Sequence, residues 1–362
     1  MEQTWNLGIQ RQITQSWFAS ATYAGNHILH VWSAVELNPA EYVPGTCAAG
    51  QYGLTTAGPC TQNTTANITA RRVLNLAHPG ANPLGYLTQY DDGGTQAYNG
   101  LLINSTYRLH SGLSMNGNYT WSHCIGLPYS GLLNDGANYA NSGYGNNLPG
   151  ANDRNLDNGN CVQDRRQIAN ITLVYQTPKY SNQAARIVAS GWTLGSTIQA
   201  RSGAWLTVVT GSTPNPATGF GGNSPGTQRA NQVLPNVYSS TQGASCATTG
   251  CEEWLNPAAF GPVSLGTSGN LGIGAVLGPG FWQWDMSLSR QFRIVEGQNI
   301  LLRFEAFNLT NSFRPGNPGV STGAASTFGV ITTDATPGAG VTGGSPSNAP
   351  ARVFQIAAKY VF

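Results

Sequence analysis

The stretch Arg352-Val-Phe-Gln-Ile-Ala-Ala-Lys-Tyr-Val-Phe362 decides the fold class of this 362-residue chain. Side chains of an extended strand alternate between its two faces. Here one face is apolar as far as the last residue: Phe354, Ile356, Ala358, Tyr360 and Phe362. The stretch therefore predicts a strand with one apolar face.

Two interpretations of this terminal strand are open. Soluble domains usually end in a frayed polar tail, although an edge strand can also end a chain. Alternatively, the stretch resembles the closing strand of an outer-membrane β-barrel, whose terminal aromatic signal is read by the barrel assembly machinery. In that case the assembly signal consists of Phe354, Ile356, Tyr360 and Phe362.

The composition favours the barrel. Charged residues make up 9% of the chain, against about 25% in typical soluble domains, while aromatic residues reach 10% and Gly occurs 46 times. Such a composition suits a sheet with lipid on one face and a wet lumen on the other. A net charge of +2 without a run of Lys or Arg argues against nucleic acid as a partner. No stretch is long and apolar enough for a transmembrane helix.

Alternating apolar residues predict nine strands. Most exceed the usual five or six residues and reach the length of about 9–11 that crosses a bilayer at a tilt. The predicted strands are 4–13, 17–32, 97–109, 112–124, 166–177, 186–201, 281–293, 299–310 and 352–362.

The connections between these strands alternate strictly between short and long. Antiparallel membrane barrels show this alternation, with tight periplasmic turns and long extracellular loops. The sequence thus predicts an all-β, antiparallel transmembrane barrel portion in the outer membrane, in contact with lipid. The long loops are 33–96, 125–165, 202–280 and 311–351.

Six cysteines fall as one pair in each of the first three long loops. Six cysteines allow fifteen pairings, and local pairing in an oxidising compartment is the simplest. Free thiols are an alternative, and a metal site is disfavoured because the chain has no CxxC motif. The expected disulfides join Cys47 to Cys60, Cys124 to Cys161 and Cys246 to Cys251.

Four aromatic residues lie near strand ends on the apolar side: Tyr119, Trp121, Trp282 and Trp284. Aromatic girdles mark the lipid interfaces of membrane barrels, so these residues are predicted to lie at such an interface. Stacking on a sugar in the loop mouth is the alternative interpretation.

The sequence predicts no catalytic residue, cofactor or metal site, and hence no enzyme. Residues 153–164 loosely resemble a calcium loop, but Gly159 comes one position late and Asp164 replaces the usual Glu. The Gly-rich stretch 269–274 lacks the helix and Lys that follow a phosphate-binding loop.

Several motifs resemble the C-terminal part of TonB-dependent receptors, specifically of Oar-like barrels. Near the end of the chain they are Asn256-Pro-Ala-Ala-Phe260, Gly269-Asn-Leu-Gly272, Gly278-Pro-Gly-Phe-Trp-Gln-Trp-Asp-Met-Ser-Leu288, Arg303-Phe-Glu-Ala-Phe-Asn-Leu-Thr-Asn311 and Phe328-Gly329. Upstream they are Tyr98-Asn-Gly-Leu-Leu102, Asn118-Tyr-Thr-Trp-Ser122, Asp164-Arg-Arg166 and Gly191-Trp192.

This resemblance implies a barrel of about 22 strands with an N-terminal plug in the intact protein. Residues 1–362 are then expected to be its C-terminal part, a fragment or truncated gene product without plug and first strands, with TonB contacted only through the missing parts. The implied function is capture and import of a scarce nutrient (siderophore, glycan or peptide), with an unknown extracellular ligand. The rivals are a non-transporting adhesin or structural barrel, and a secreted β-sandwich lectin or enzyme.

Overall fold

The computed structural model describes residues 1–38, 40–62, 64–85, 87–109, 111–127, 158–210, 229–246, 251–264, 269–333 and 351–362. Nine long strands form one sheet and follow each other in sequence order. They are β1 (Glu2–Thr14), β2 (Trp17–Glu36), β3 (Thr88–Arg108), β4 (Leu113–Gly126), β5 (Gln167–Gln176), β6 (Trp192–Arg201), β7 (Phe281–Val295), β8 (Gln298–Phe307) and β9 (Val353–Val361).

Every neighbouring pair of long strands is antiparallel, which confirms the predicted fold class. All short connections therefore lie at one end of the sheet, the turn end, and all long connections lie at the other, the loop end. An odd number of antiparallel strands also makes β1 and β9 run in the same direction. Both edge strands are exposed along their whole length.

The register gives the sheet one apolar and one polar face. Residues that are directly paired across a ladder point to the same face. Alternate residues of strands β1 to β9 form the apolar face. They include Leu7, Ile9, Tyr23, Leu101, Ile103, Tyr119, Trp121, Ile171, Leu173, Leu194, Ile198, Trp282, Trp284, Leu288, Ile300, Phe304, Phe354 and Ile356.

Small polar side chains cover most of the opposite, polar face and hydrogen-bond across strands. The Asn170 amide donates to the Asn118 side-chain oxygen at 2.9 Å, and the Asn116 amide donates to the Thr106 hydroxyl at 2.9 Å. A charged pair, Arg303 and Glu305, lies on the same face as this network with a nitrogen–oxygen distance of 2.7 Å. Hydrogen bonds and an ion pair between polar side chains thus link neighbouring residues of the polar face.

Two predicted strand boundaries are wrong by more than four residues. The predicted strand 186–201 begins at Trp192, because Gln183–Ala189 form a helix, α3, whose first turn is capped by the Asn182 side chain. β3 begins at Thr88 rather than 97, because its ladder with β2 continues past two register shifts beyond the region of apolar alternation. There the backbone pairing, rather than side-chain burial, maintains the strand.

The long connections form a loop layer with its own core. Its largest cluster of buried side chains is drawn from residues 203–280 and 308–333: Val208, Ala230, Val237, Leu255, Ala259, Leu271, Val276 and Phe328. Two-residue ladders tie this layer together: Thr46–Cys47 with Gly58–Pro59, Trp205–Leu206 with Val276–Leu277, Asn231–Gln232 with Phe260–Gly261, and Glu252–Glu253 with Val330–Ile331. One further two-residue strand, Gly159–Asn160, pairs with β4.

Few helices occur in the described chain, and all are short. Two α-helices lie in the first long loop, α1 (Thr65–Ala70) and α2 (Val73–Ala77), and two 3-10 turns cover Gln51–Gly53 and Pro257–Ala259. In the part of the chain that the structure describes, no helix has the length and apolarity to cross a membrane.

All six cysteines form disulfides, as the sequence predicts. The local pairs are present, with Cα–Cα distances of 4.9 Å for Cys47–Cys60, 5.4 Å for Cys124–Cys161 and 5.5 Å for Cys246–Cys251. Cys124 belongs to β4, so its disulfide joins the sheet to the loop layer.

Candidate functional site: the loop end of the sheet

Buried arginines hold the first long loop. The Arg71 guanidinium donates to the Asn67 side-chain oxygen at 2.9 Å and to the Glu41 carbonyl, and Arg72 donates to the Asn38 carbonyl. Burial lowers the pKa of Arg71 to about 10, which still leaves it charged at neutral pH. These hydrogen bonds join segments of the loop that are about 30 residues apart, which organises it.

A buried carboxylate sits where the second long loop enters β5. The Asp164 side chain is 1% exposed; it accepts a hydrogen bond from the Trp205 indole at 3.0 Å and lies 3.4 Å from His123 Nδ1. The pKa of the neighbouring Arg165 is lowered, mainly by burial and also by repulsion from Arg201. The attraction of Asp164 opposes this shift. Asp164 thereby ties the strand entry to the third long loop.

A second polar network joins the polar face to the last long loop. Buried Arg314 donates to the Gln283 side-chain oxygen at 2.8 Å, and the Gln283 amide donates to both Asp285 oxygens. Asp285 also accepts from the Asn308 backbone N–H at 2.8 Å. The sequence patterns did not single out Arg314, because nothing local marks an arginine that is buried by distant segments.

A cavity of about 430 Å³ opens in the third long loop. Polar and apolar groups share its lining, and the polar residues include Asn236, Tyr238, Ser239, Thr241, Glu253 and Asn256. Its volume falls in the range of small-molecule sites, about 300–1,000 Å³. The sequence did not single out these residues, since a run of Ser and Thr carries no periodic or motif signal.

One carboxylate, that of Glu253, gives the cavity its charge. It accepts hydrogen bonds from the Ser239 hydroxyl at 2.8 Å and from the Thr241 hydroxyl. These hydrogen bonds lower the pKa of Glu253, and the bond from Thr241 has the larger effect. Glu253 is therefore an anion at neutral pH. The cavity can accept hydrogen bonds from hydroxyl, amide or amine groups of a ligand.

The four predicted interface aromatics lie on the apolar face; Trp121, Trp282 and Trp284 are toward the loop end, whereas Tyr119 is at the middle of β4. Trp121 is 54% and Trp282 44% exposed, and the Trp284 indole donates to the Ser196 hydroxyl at 2.8 Å. Their place at a lipid interface stays a prediction.

A second aromatic group occupies the turn end of the same face and was missed. It comprises Trp17, Tyr107, Tyr175, Trp192, Phe292 and Tyr360. Continuing the alternation to the turn-end residues of each strand would have found it.

The residues of the predicted assembly signal lie on the apolar face of the edge strand β9 and just beyond it. Phe354, Ile356 and Tyr360 are at least half exposed, and Phe362 is 92% exposed. The rings of Tyr360 and Phe362 lie 5.8 Å apart. Their recognition by the assembly machinery stays a prediction.

The calcium-like stretch is largely outside the described residues, which exclude 151–157. Asp164 at its end is engaged by Trp205. Among the residues that the structure describes, no group of three or more His, Cys, Asp or Glu side chains could hold a metal ion.

The sequence matches the outer membrane beta barrel domain over residues 1–355. The chain belongs to this family. Its open sheet with an exposed apolar face is accordingly a membrane-spanning β-barrel sheet of the outer membrane. None of the curated proteins matches the chain.

Solved structures similar to this barrel chain include two larger proteins. Pseudomonas aeruginosa FpvA bound to heterologous pyoverdines is 11% identical, with a TM-score of 0.37, over 89% of the chain and 24% of FpvA. The outer membrane transporter YddB from Escherichia coli is 8% identical, with a TM-score of 0.42, over 99% of the chain and 32% of YddB. The chain thus spans about a quarter to a third of these proteins.

Proposed function

We propose that this chain is the C-terminal part of a TonB-dependent, Oar-like receptor that captures and imports a scarce nutrient. The observation that carries the proposal is the direction of the edge strands. Since β1 and β9 run in the same direction and both are exposed, the nine strands would close on themselves only through a parallel pair. In a larger barrel, as implied by the motifs around Trp282 and Arg303, further strands would pair with β1 and β9, and every pair could be antiparallel.

A larger barrel also explains the polar face. Barrels of about eight strands fill their interior with side chains, whereas barrels of about 22 strands hold a plugged lumen. The side chains around Asn118 and Asn170 are small and polar, which suits a wide, wet lumen. Any contact with TonB would be made through further parts of the receptor.

The loop layer is the proposed ligand-binding region, and the loop end is the proposed extracellular end. Its disulfides fit an oxidising compartment, and it contains the cavity around Glu253. The groups lining it suit a ligand rich in hydroxyl, amide or amine groups, such as a siderophore, glycan or peptide.

The test is uptake by cells that express the complete receptor in their outer membrane. A panel of labelled iron–siderophore complexes, oligosaccharides and peptides is offered with and without a functional TonB system. We expect accumulation of one class, dependent on TonB. Surface binding without uptake would instead identify an adhesin, and recovery of the receptor without detergent would contradict a membrane barrel.

The Glu253→Gln variant tests the cavity. Loss of a charged hydrogen-bond acceptor should weaken binding of the accumulated ligand by at least about tenfold. The control is Glu296→Gln in the β7–β8 turn, where the Glu296 side chain is 97% exposed at the opposite end of the sheet. Equal binding by both variants would move the ligand site elsewhere in the loop layer.

A further inference from the structure

The connection between β5 and β6, residues 177–191, differs from the other connections at the turn end. Those are tight turns, whereas this one contains α3. It carries two exposed cations, Lys179 and Arg186, and no acidic residue. It also exposes apolar surface, with Tyr180 41%, Ile187 62% and Val188 69% exposed.

Contacts place the C-terminal end of α3 against the apolar face. The Val188 carbonyl accepts hydrogen bonds from the Trp192 indole at 2.8 Å and from the Arg290 guanidinium at 3.2 Å. Trp192 and Arg290 are paired across the β6–β7 ladder and share the face of Leu288. The helix is therefore attached to the lipid side of the sheet rather than to the polar face.

Arg290 adds a third cation to this edge of the apolar face. Its guanidinium lies 5.5 Å from the Trp192 ring centre and 4.7 Å from that of Phe292. A cation on a lipid-facing surface is costly at the bilayer centre but favourable near its edge, where it reaches the headgroups. Its position in the turn-end aromatic group fits a headgroup contact.

We propose that residues 177–191 form an in-plane membrane anchor that binds phospholipids of the leaflet at the turn end. Ile187 and Val188 enter the boundary between headgroups and acyl chains, as the apolar side of an interfacial helix does. Lys179, Arg186 and Arg290 hold lipid phosphates, since basic residues beside a membrane favour anionic lipid. The apolar patch continues the lipid-facing surface of β6 and β7, so its partner is lipid as well.

This anchor is independent of what the barrel transports. Only the assignment of this leaflet as the periplasmic one rests on the orientation proposed above. Labelling of an exposed turn residue from either side of the membrane tests that orientation separately, so the two proposals can fail separately.

Depth-dependent quenching tests the anchor. The complete protein carrying Ile187→Cys is labelled with an environment-sensitive fluorophore and placed in bilayers whose acyl chains are brominated. The comparison variants are Ile171→Cys, from the middle of the apolar face of β5, and Glu296→Cys, from the neighbouring tight turn. Membranes are used in which the label at position 171 is quenched, which certifies insertion.

We expect the labels at positions 187 and 171 both to be quenched, while the label at position 296 stays in water and is not quenched. An unquenched label at 187 beside a quenched label at 171 would overturn the anchor. It would place the helix in water or against a protein partner instead.

Lipid charge is tested with brominated phosphatidylglycerol against brominated phosphatidylcholine. Neutralising Lys179 or Arg186 to Gln should reduce the preference of the 187 label for phosphatidylglycerol by about fivefold for each charge removed. Lys359→Gln is the matched control, because Lys359 lies near the turn end of β9 on the polar face. An equal loss in the control, or no loss in any variant, would contradict headgroup binding by this segment.

Discussion

In the loop layer Val208, Ala230 and Val276 are fully buried, whereas in the sheet Leu7, Ile9 and Ile356 keep more than 70% of their surface exposed. The contrast is general among the described residues. Of the buried apolar side chains, only Cys124 and Ala306 belong to the nine long strands. One chain thus contains a region that buries its apolar surface in itself and a region that leaves it to the surroundings.

The difference teaches that the two regions depend on different solvents. The loop layer has the core, disulfides and buried ions of a small water-soluble domain. The sheet has satisfied backbone ladders and a hydrogen-bonded polar face, and its apolar face is stabilised only where lipid replaces water. Mutations should therefore have effects that depend on the region and on the face.

The largest effect is expected from the core of the loop layer. Leu255 is 2% exposed, so Leu255→Ala should cost about 2–5 kcal/mol through lost burial and a cavity. Hydrogen exchange should rise in the loop layer and not in the sheet. Val233→Ala, at a side chain that is 57% exposed, is the control and should cost little. Opening of the sheet along with the loops would show that the two regions form one cooperative unit.

The stability lost when a disulfide is removed from the loop layer should depend on the length of the loop that the disulfide closes. Cys124 and Cys161 are 37 residues apart, and Cys246 and Cys251 only 5. In the chain-entropy account the longer loop is stabilised by about 4 kcal/mol and the shorter by about 2 kcal/mol. Replacing each pair with serines and following protease cleavage measures both. A larger effect from the shorter loop would contradict the ranking.

A charge on the sheet tests the assignment of its faces. Ile171 lies on the apolar face and Thr172 on the polar face of β5. We expect Ile171→Arg to destabilise the membrane-inserted protein by about 2–4 kcal/mol, and Thr172→Arg to have a much smaller effect. Urea unfolding in bilayers gives the two values. Equal costs would mean that the apolar face does not contact lipid.

The smallest expected effect concerns the pH dependence of the cavity. Hydrogen bonds from Thr241 and Ser239 lower the pKa of Glu253, so the stabilisation they give is present at neutral pH. It is lost as the pH falls through that lowered pKa. Thr241→Ala should raise the pKa toward its ordinary value, as measured by carboxyl NMR titration. Ser240→Ala, at the intervening residue, is the control, and a shift of equal size there would contradict the assignment.

The sheet could be predicted well from the sequence, and the cavity in the loop layer could not. The nine strands appear because lipid and lumen impose a strict two-residue period, visible in segments such as Leu113–Trp121. The prediction failed at Gln183–Ala189, where a capped helix interrupts the pattern, and before 97, where backbone ladders extend β3 without alternation. In the loop layer, Arg314 and Glu253 acquire their partners from segments that are far apart in the sequence.

By itself, the sequence determined the fold class and the alternation of short and long connections, because each is a pattern among neighbouring residues. It favoured local cysteine pairs without fixing them, and the structure contains those pairs. The tertiary structure alone decided which residues form the cavity at Glu253 and where α3 attaches to the sheet. It also decided that β1 and β9 are exposed edges. These features depend on contacts between distant segments and on strand register, which no local pattern specifies.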